Sequence, residues 1–385
     1  MSDRIQSVSL LYPGLATGQE GIFVHQRLSA LPERFSVRVW RARPWFPLRS
    51  KGGSAGSEMV DAIPVDDVPF FYLPGVFKGL DGSWMLRALK RLPTDGVDLI
   101  DAHFGYPTGW AAVKLAKERR LPVVVTFRGT EVSQARVPAL RERLVDCVSG
   151  ADRIICVSEP LAQLARDLGA SPDRVKVIGN GIDPQLFHPG NADPGRTATS
   201  IPPGVPVLLT VGGLSERKGV ARVLEILPRL VKSHGDLLYL VVGGASPEGD
   251  ETARIKALAV KLGVEDSIRL LGARPFAEIP DLYRAADVFV LATRHEGCAN
   301  VLGEAVACGL HVVATDVGGN RSVLREGDAG TLVPFGDAPA LEAAVSAAIA
   351  SAKQEGPRQP VKVPTWAAIG NQVGEVFEEL IEGVR

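Results

Sequence analysis

The sequence predicts an α/β protein built from two doubly wound parallel-sheet domains. The first reason is that short runs rich in β-branched residues alternate with longer helical patterns, which is typical of βαβ units on a parallel sheet. The second is the length of 385 residues, which exceeds what one hydrophobic core normally serves. The third is a stretch rich in Pro, Gly and Thr at 189–206, whose composition suits a linker between two series of strands.

Apolar runs of strand length occur in both halves of the chain. In the first half we expect strands at 7–12, 37–40, 98–102, 122–127, 153–157 and 175–178. In the second half we expect strands at 207–211, 237–242, 267–271, 287–291 and 311–314. Helical patterns follow several of these runs, including 23–31 and 220–232. Each half therefore has the pattern of a doubly wound domain.

The predicted domain boundary falls after residue 185, just before the linker. The last segment, 366–384, carries apolar residues at helical spacing and is expected to form an amphipathic helix that returns to the first domain. The predicted domains are therefore 1–185 together with 366–385, and 186–365.

The composition excludes several classes of protein. The 43 Lys and Arg residues nearly balance the 44 Asp and Glu residues, so no charge excess indicates a nucleic-acid partner. The four cysteines have no C-x-x-C spacing, which argues against a disulfide scaffold or a zinc ribbon. No apolar run approaches the ~20 residues that span a bilayer, and the first run is too short for a signal peptide, so we expect a cytoplasmic protein.

Charge is divided unevenly between the two halves. Residues 1–180 contain 24 Lys and Arg and 19 Asp and Glu, whereas the remainder contains 19 and 25. The densest group, here called the basic cluster, consists of Arg34, Arg38, Arg41, Arg43, Arg49 and Lys51. We interpret it either as a solvated face or as a landing patch for anionic lipid at the inner face of the cell membrane. Nearby aromatic residues, Trp45 and Phe46 among them, would add to such a patch.

The most informative stretch for chemistry is 287–309. A buried strand ends at Thr293, the following loop carries Glu296, and a helix begins near Asn300 with Glu304 in its first turns. This order puts a carboxylate and a helix N-terminus at the carboxyl end of a parallel strand, where α/β sheets bind ligands.

The first turn of that helix is the expected phosphate site. Free backbone N–H groups of Asn300, Val301 and Leu302 would hold phosphate oxygens through hydrogen bonds and the helix dipole. The carboxylates of Glu296 and Glu304 would accept hydrogen bonds from sugar hydroxyls. The alternative is an exposed pair of glutamates that binds nothing.

The stretch resembles the signature of a known enzyme family. Its pattern, E-G-x-x-N-x-x-x-E-A-x-A-x-G, is similar to that of the retaining glycosyltransferases of family 4, or glycosyl transferases group 1. These have the GT-B fold, in which two Rossmann-like domains face each other across a cleft. Shorter motifs follow the family's order at 157–158, 180–183, 211–212, 217–219, 242–244 and 318–319. The resemblance implies that Glu296 contacts the transferred sugar and Glu304 the ribose of the nucleotide.

A second group of candidate ligands lies in the sequence G-G-L-S-E-R-K-G at 212–219. Glycines let the backbone approach a ligand, and a cation at a helix start neutralises a diphosphate, although such a lysine is often merely solvated. The resemblance implies that Lys218 is the family's phosphate-binding lysine and that Gly244 lines the donor site. Many members have an arginine where this chain has Gly213, and we expect Arg217 to reach the same phosphates.

A glycine-rich loop at 12–21 follows the first predicted strand and precedes a predicted helix. Such a loop can approach a phosphate closely, although a plain turn explains the glycines nearly as well. The resemblance implies that Gly21 lies against the donor and the acceptor.

Two further strand ends, at 98–103 and 126–131, carry His103, Arg128 and Glu131. In one crevice these side chains would form a polar acceptor site, although His103 alone is more often a hydrogen-bonded structural histidine. The second strand end resembles the family's T-x-H-G-x-D, with Arg128 in the histidine position and Glu131 in the aspartate position. Because arginine does not titrate near neutral pH, we expect Arg128 to steady the departing phosphate or an anionic acceptor.

The resemblance also implies a mechanism. The sugar would be transferred on one face through an oxocarbenium-like transition state, and the leaving diphosphate would take the acceptor's proton. Catalysis would then come from positioning and from stabilising negative charge. The candidate catalytic residues are Arg128, His103, Glu296, Arg217 and Lys218.

No metal ion or other cofactor is expected. The chain has no Asp-x-Asp signature, and its adjacent Asp66 and Asp67 lie in a segment that we predict to be a loop. Closure of the two domains would be required for turnover.

The predicted function is transfer of a hexose from a UDP- or GDP-linked sugar to a glycan or lipid-linked acceptor, in cell-envelope or exopolysaccharide synthesis. A nucleotide-sugar epimerase is an alternative, but it needs paired acid and base groups, which Arg128 does not favour. A catalytically inactive sugar-nucleotide or glycan-binding subunit is another, because Gly213 and Ser322 replace the arginine and glutamate of many relatives. No G-x-G-x-x-G opens either half, which argues against a dehydrogenase.

Overall fold

The computed structural model describes residues 2–15, 18, 20–46, 55–73, 75, 77–246, 248–324, 329–356 and 361–384. The chain divides into an N-terminal unit, Met1–Gly181 with Trp366–Arg385, and a C-terminal unit, Ile182–Thr365. This division lies just before the predicted boundary at 185. The reason is that Ile182 packs in the core of the C-terminal unit and its amide donates to the Pro364 carbonyl at 2.9 Å.

The N-terminal unit is built on a sheet that is parallel except at one edge. Its strands are β1 (Asp3–Ser9), β2 (Phe35–Trp45), β3 (Ser57–Val60), β4 (Ile63–Phe71), β5 (Leu99–His103), β6 (Val123–Phe127), β7 (Arg153–Cys156) and β8 (Val175–Val177). They lie in the order β3-β4-β2-β1-β5-β6-β7-β8, and β3 runs antiparallel to β4. Every residue of β5 and β6 is buried, so the polar groups at their ends are held by a rigid core.

Helices connect these strands. They are α1 (Ile22–Ser29), α2 (Asp81–Leu89), α3 (Trp110–Arg119), α4 (Thr130–Gln134), α5 (Pro138–Gly150) and α6 (Glu159–Asp167).

The C-terminal unit has a fully parallel sheet. Its strands are β9 (Val207–Val211), β10 (Leu238–Val242), β11 (Ile268–Gly272), β12 (Val288–Leu291), β13 (His311–Thr315) and β14 (Thr331–Val333). They lie in the order β11-β10-β9-β12-β13-β14. The helices are α7 (Asp193–Ala198), α8 (Val220–His234), α9 (Thr252–Leu262), α10 (Ile279–Ala285), α11 (Asn300–Ala307), α12 (Asn320–Leu324) and α13 (Ala338–Glu355). The prediction of two doubly wound α/β domains is confirmed.

The stretch 189–206 is not a loose linker, which corrects the prediction from its composition. It contains α7, and Ile201 is 7% exposed in the core of the C-terminal unit. Gly195 lets α7 lie directly on α10, because a Cβ there would be 2.2 Å from the Asp281 carbonyl oxygen. Close packing of backbones, which composition does not reveal, therefore orders this segment.

The terminal helix α14 (Trp366–Val384) packs in the N-terminal unit. Its residues Ile369, Val373 and Phe377 are buried in one core with Ile5 of β1. Gly370 lies against the end of α1, where a Cβ would be 1.9 Å from the carbonyl oxygen of Ala30. No helix in the described part of the chain is long and apolar enough to cross a membrane.

The sequence pattern does not predict β3, β4 or β14, and the loop predicted for Asp66 and Asp67 is wrong. Proline and aspartate interrupt the apolar alternation of β4, so its sequence does not read as a strand. Pairing with β2 stabilises it instead: Arg38 Nε donates to Asp66 at 2.6 Å and Arg41 Nε donates to Asp67 at 2.7 Å. β1 also begins at Asp3 rather than near residue 7, because polar residues mask its first half.

The described members of the basic cluster are each paired with a carboxylate. The pairs are Arg34 with Asp3 and Glu378, Arg38 with Asp66, Arg41 with Glu58 and Asp67, and Arg43 with Asp67. Arg41 is 1% exposed, so it is not part of a solvated face. Arg49 and Lys51 lie outside the described residues. Arg38, Arg41 and Arg43 therefore link β2 to β3 and β4, and Arg34 links the start of β2 to β1 and α14. Contact with anionic lipid stays a prediction.

Candidate functional site

The candidate site of the C-terminal unit lies at the carboxyl ends of β9 and β12. These strands are neighbours, and the chain continues from β9 to β10 on one side and from β12 to β13 on the other. Such a switch point is where doubly wound sheets bind ligands. The two loops are tied together, because Thr293 Oγ1 and the Arg294 amide both donate to the Arg217 carbonyl, at 3.0 and 2.8 Å.

Three charged side chains meet between these loops. Lys218 Nζ and Arg217 Nη1 both donate to Glu296 Oε1, at 2.7 and 2.8 Å. Thr293 Oγ1 lies 3.2 Å from the same oxygen. The Glu296 side chain is 9% exposed, whereas those of Lys218 and Arg217 are 14% and 22% exposed. Two partly exposed cations thus bind the same oxygen of one nearly buried carboxylate.

The two cations keep Glu296 ionised. Burial alone would raise its pKa, but the charges of Lys218 and Arg217, with hydrogen bonds from Lys218 and Thr293, outweigh burial and lower the pKa. The site is therefore a compensated cluster of charges, and an incoming anion has to compete with Glu296 for the cations.

A second carboxylate also binds Arg217. Glu248 accepts hydrogen bonds from Arg217 Nε at 2.7 Å and from Ser215 Oγ at 3.1 Å. Sequence reasoning missed Glu248, because 31 residues separate it from Arg217 and no motif marks it. Its effect is to hold the Arg217 guanidinium in place.

Glu304 lies on α11, one helix turn past the predicted phosphate site. Tyr283, a residue of α10 that sequence reasoning also missed, donates its hydroxyl to Glu304 Oε2 at 2.8 Å. Burial raises the pKa of Glu304 to about 7, although Tyr283 and the charge of Lys218 act in the opposite direction. Near neutral pH this carboxyl is therefore close to its titration midpoint.

The first turn of α11 contains Asn300, Val301 and Leu302, as predicted. The expectation of a free amide at Leu302 is wrong, because its N–H donates to the Ala299 carbonyl at 3.0 Å and closes the first turn of the helix. Its side chain is fully buried in the core.

The N-terminal unit carries a buried polar cluster at the ends of β5 and β6. His103 Nε2 lies 2.9 Å from Asp101 Oδ2, and Arg128 Nε donates to His103 Nδ1 at 3.2 Å. Arg27 of α1 donates to Thr126 Oγ1 at 2.9 Å and lies 3.5 Å from Asp101. The sequence predicted that His103 and Arg128 meet, but it did not indicate Arg27.

Burial decides the charge states in this cluster. His103 is 0% exposed, and its burial lowers its pKa to about 4, so the ring is neutral at pH 7. The pKa of Asp101 lies well below its usual range: burial opposes this shift, but the neighbouring His103 and Arg27 and a hydrogen bond from Ser7 outweigh it. With its ring between Asp101 and Arg128, His103 is built to position Arg128.

Glu131 does not face an open crevice, which corrects the expectation for it. It is 0% exposed and accepts hydrogen bonds from the backbone amides of Gly105, Arg128 and Gly129, at 2.8, 3.2 and 2.7 Å. These contacts fix the turn that carries Arg128. The Arg128 guanidinium in turn lies 5.0 Å from the ring centroid of Phe23, and Nη1 donates to Asn180 at 3.3 Å.

Gly21 caps α1 with a left-handed backbone, at φ 77°. A Cβ there would lie 2.4 Å from the carbonyl of Leu11, so backbone packing already requires the glycine. In the same loop, Ala16, Thr17 and Gln19 lie outside the described residues.

Comparisons with known proteins find matches over both units of the chain. Residues 193–359 match the family model described as "Glycosyl transferases group 1", and residues 21–186 match "Glycosyltransferase Family 4". The D-inositol 3-phosphate glycosyltransferase 2 of Catenulispora acidiphila is 30% identical over 349 residues, which cover 85% of this chain and 81% of that protein. The chain belongs to the group 1 glycosyltransferases.

Solved structures share the GT-B fold of this glycosyltransferase. Sucrose-phosphate synthase from Thermosynechococcus elongatus superposes with a TM-score of 0.81 at 21% identity, over 99% of this chain and 100% of that chain. The HepE protein of Anabaena, crystallised with UDP-glucose, gives a TM-score of 0.72 at 18% identity, over 99% and 98% of the two chains. At these identities the likeness concerns the fold.

Glycines bring the loops of the glycosyltransferase's C-terminal unit together. A Cβ on Gly318 would lie 1.9 Å from the Glu296 carbonyl oxygen, and one on Gly319 would lie 2.1 Å from that of Gly297. Gly244 lies beside the loop after β9, where its carbonyl accepts from the Leu214 amide at 2.8 Å. The glycine pair at 318–319 therefore shapes the backbone that presents Glu296.

Gly318→Ala is expected to destabilise the protein by about 1 kcal/mol more than Gly336→Ala. Both glycines have a positive φ, 51° and 85°, so both variants strain the backbone. Only the first also collides with a carbonyl, because no atom lies within 4 Å of a Cβ at Gly336. Urea unfolding of both variants measures the difference in the free energy of unfolding. Equal decreases would show that the loop carrying Glu296 can move away from the new Cβ at little cost.

Gly213, where many relatives carry arginine, is closely packed against a neighbouring loop. A Cβ there would be 2.8 Å from the Ser246 Cβ, so a larger side chain requires that loop to move. Beside Lys218, the second cation that binds Glu296 is Arg217. Ser322, the other departure, is exposed, and its amide donates to the Gly319 carbonyl at 3.0 Å.

Glu304→Gln is expected to raise the free energy of unfolding by about 1 to 3 kcal/mol at pH 8 and to change it little near pH 5. The folded pKa of about 7 lies above the ordinary value of 4.5. Between these values the unfolded chain loses a proton that the folded chain keeps, so the wild type loses stability as pH rises. Urea unfolding at several pH values measures the effect, with the exposed Glu225→Gln on α8 as the control. A constant difference across pH would contradict the prediction.

Proposed function

We propose that this group 1 glycosyltransferase transfers a sugar, with retention, from a nucleoside-diphosphate sugar to a glycan or lipid-linked acceptor without a metal ion. The observation that carries the proposal is the convergence of Lys218 and Arg217 on Glu296 Oε1, at 2.7 and 2.8 Å. Both cations bind this carboxylate in the structure. A diphosphate is a stronger and multivalent partner for them, so it displaces Glu296 on entry.

Displacement gives each residue a role. Lys218 and Arg217 bind the diphosphate, with the Asn300 and Val301 amides at the start of α11. Glu296 is released and accepts hydrogen bonds from hydroxyls of the transferred sugar. Glu304, oriented by the Tyr283 hydroxyl, accepts hydrogen bonds from the ribose.

The chemistry then needs no base from the protein. As the bond from the sugar to the phosphate oxygen breaks, negative charge develops on the diphosphate, which the cations stabilise. The acceptor hydroxyl attacks the same face of the sugar and passes its proton to the departing phosphate oxygen. We assign acceptor binding to the N-terminal unit, where Arg128 supplies a fixed cation and His103 positions it.

A thermal-shift panel of UDP, GDP, ADP and their common sugars tests the donor site. UDP comes first because the HepE structure of Anabaena contains UDP-glucose. One nucleotide is expected to raise the Tm of the wild type, and the shift is expected to vanish in Lys218→Ala and Glu304→Ala. Arg294→Ala, whose exposed side chain pairs with Glu216, is the control that keeps the shift. No shift with any nucleotide would refute the proposal.

A transfer assay separates an enzyme from an inactive binding subunit, the alternative that Gly213 favours. An enzyme is expected to release free nucleotide from the stabilising nucleotide sugar when acceptor is present. Binding without release would make the chain a sugar-nucleotide-binding protein.

A further inference from the structure

A cavity of about 450 Å³ lies in the N-terminal unit, and neither His103 nor Arg128 is among its lining residues. Its walls come from the carboxyl ends of several parallel strands: Leu10 follows β1, Phe70 belongs to β4, and Phe104 follows β5. The volume is that of a small-molecule site, at the edge where α/β sheets bind ligands. Most of the lining is apolar, and Phe70 and Phe104 are 3% and 6% exposed.

Two polar oxygens in this lining have no partner. Asp81 is 6% exposed, and its Oδ1 is buried without a hydrogen-bond partner among the described residues. The same holds for Oε1 of Gln134, whose Nε2 donates to the Tyr106 carbonyl at 2.9 Å. Both residues line the cavity. Buried acceptors of this kind cost free energy unless a ligand or water donates to them.

The nearby cation, Lys78, does not form an ion pair with Asp81. Lys78 also lines the cavity, but its ammonium donates to the Tyr72 hydroxyl and lies 4.3 Å from the centroid of that ring. Within the described residues Asp81 forms no ion pair. Burial raises the pKa of Asp81 to about 6, and the charge of Lys78 acts in the opposite direction. At pH 7 an anionic group that entered the cavity would therefore meet a largely ionised carboxyl that has no ion-pair partner among the described residues.

We propose that the cavity binds the acceptor and that the acceptor is an amphipathic alcohol. Its apolar part packs on the walls, and two of its hydroxyls donate to Asp81 Oδ1 and Gln134 Oε1. This inference rests on the proposed transferase function, whose acceptor it specifies. Gln134 and Thr130 belong to α4, which directly follows Arg128 and Gly129, so the cavity borders the loop that carries the fixed cation.

The test compares methyl and hexyl glycosides of glucose, galactose and mannose by titration calorimetry on the full chain. In at least one pair, the hexyl member is expected to bind about tenfold or more tightly than the methyl member, because its added methylenes leave water. Equal affinities within every pair would overturn the inference. So would tighter binding of D-inositol 3-phosphate than of any hexyl glycoside, since that ligand is polar and anionic.

Two variants locate the binding. Leu140→Trp, on the cavity wall contributed by α5, is expected to abolish the preference for hexyl, whereas Val145→Trp, exposed on the same helix, keeps it. Asp81→Asn is expected to weaken binding of the preferred glycoside about tenfold, because a hydroxyl bonds a carboxylate more strongly than an amide. It is also expected to leave Tm unchanged or higher. A lower Tm with unchanged binding would show a structural role and overturn the inference.

The nucleotide panel separates this inference from the proposed function. If UDP or another nucleotide binds and no hexyl preference exists, only the acceptor assignment fails. If no nucleotide binds, the transferase proposal fails, and the cavity is then not an acceptor site.

Discussion

Lys218→Ala is expected to lower kcat/KM for sugar transfer by about a hundredfold to a thousandfold. Lys218 Nζ lies 2.7 Å from Glu296 Oε1, and the Lys218 side chain is only 14% exposed. A charge in such a place interacts more strongly with a developing phosphate charge than one in bulk water. Steady-state kinetics with the nucleotide sugar found in the thermal-shift panel measures the loss.

The matched control for this prediction is Arg294→Ala. Arg294 lies on the same loop as Glu296, but its side chain is 58% exposed and pairs only with Glu216 among the described residues. Its removal is expected to change kcat/KM by less than about twofold. A loss of less than about tenfold in Lys218→Ala would show that Lys218 is not the main cation on the diphosphate.

Asp101→Asn is expected to destabilise the N-terminal unit by about 3 kcal/mol or more. Asp101 is 0% exposed, and it lies 3.5 Å from Arg27, which is 1% exposed. Removing the carboxylate leaves the Arg27 charge buried without compensation, and a cation cannot be solvated there. Urea unfolding measures the loss.

A double-mutant cycle tests the physical cause. Arg27→Met removes the buried cation, so Asp101→Asn made in that background is expected to cost much less than in the wild type. Glu118→Gln, which breaks an exposed pair with Lys90, is the control and is expected to cost about 0.5 kcal/mol or less. Additive losses in the double variant would mean that Arg27 and Asp101 do not compensate each other.

Strands buried on both faces were predictable from sequence. β6 and β9 read as continuous apolar runs, which is the pattern of parallel strands covered by helices. β4 was not predictable, because its aspartates are neutralised by arginines of β2 that lie 26 and 28 residues away. The same limit applies to α7. Its packing on α10 depends on Gly195, but in the sequence this glycine is part of a Pro- and Gly-rich composition that is typical of a linker.

The candidate site divides in the same way. Arg217, Lys218 and Glu296 lie in short motifs that directly follow predicted strands, so the sequence alone identifies them as candidates. Two further residues complete the site, and no local motif marks either. Glu248 lies 31 residues from its partner Arg217, and Tyr283 lies 21 residues from its partner Glu304. The prediction of a free amide at Leu302 was wrong because the sequence does not show at which residue the helix starts. The Leu302 amide donates to the Ala299 carbonyl within the first turn.

By itself the sequence determined the two α/β domains and the loops that carry the charged side chains of the candidate site, because strand and helix periodicity is a local property of the backbone. Only the tertiary structure decided how those groups are charged and paired. It closes His103 between Asp101 and Arg128, and it brings Asp81 and Gln134 to one apolar cavity. The reason is that desolvation depends on everything packed around a group, and that environment comes from residues distant in the chain.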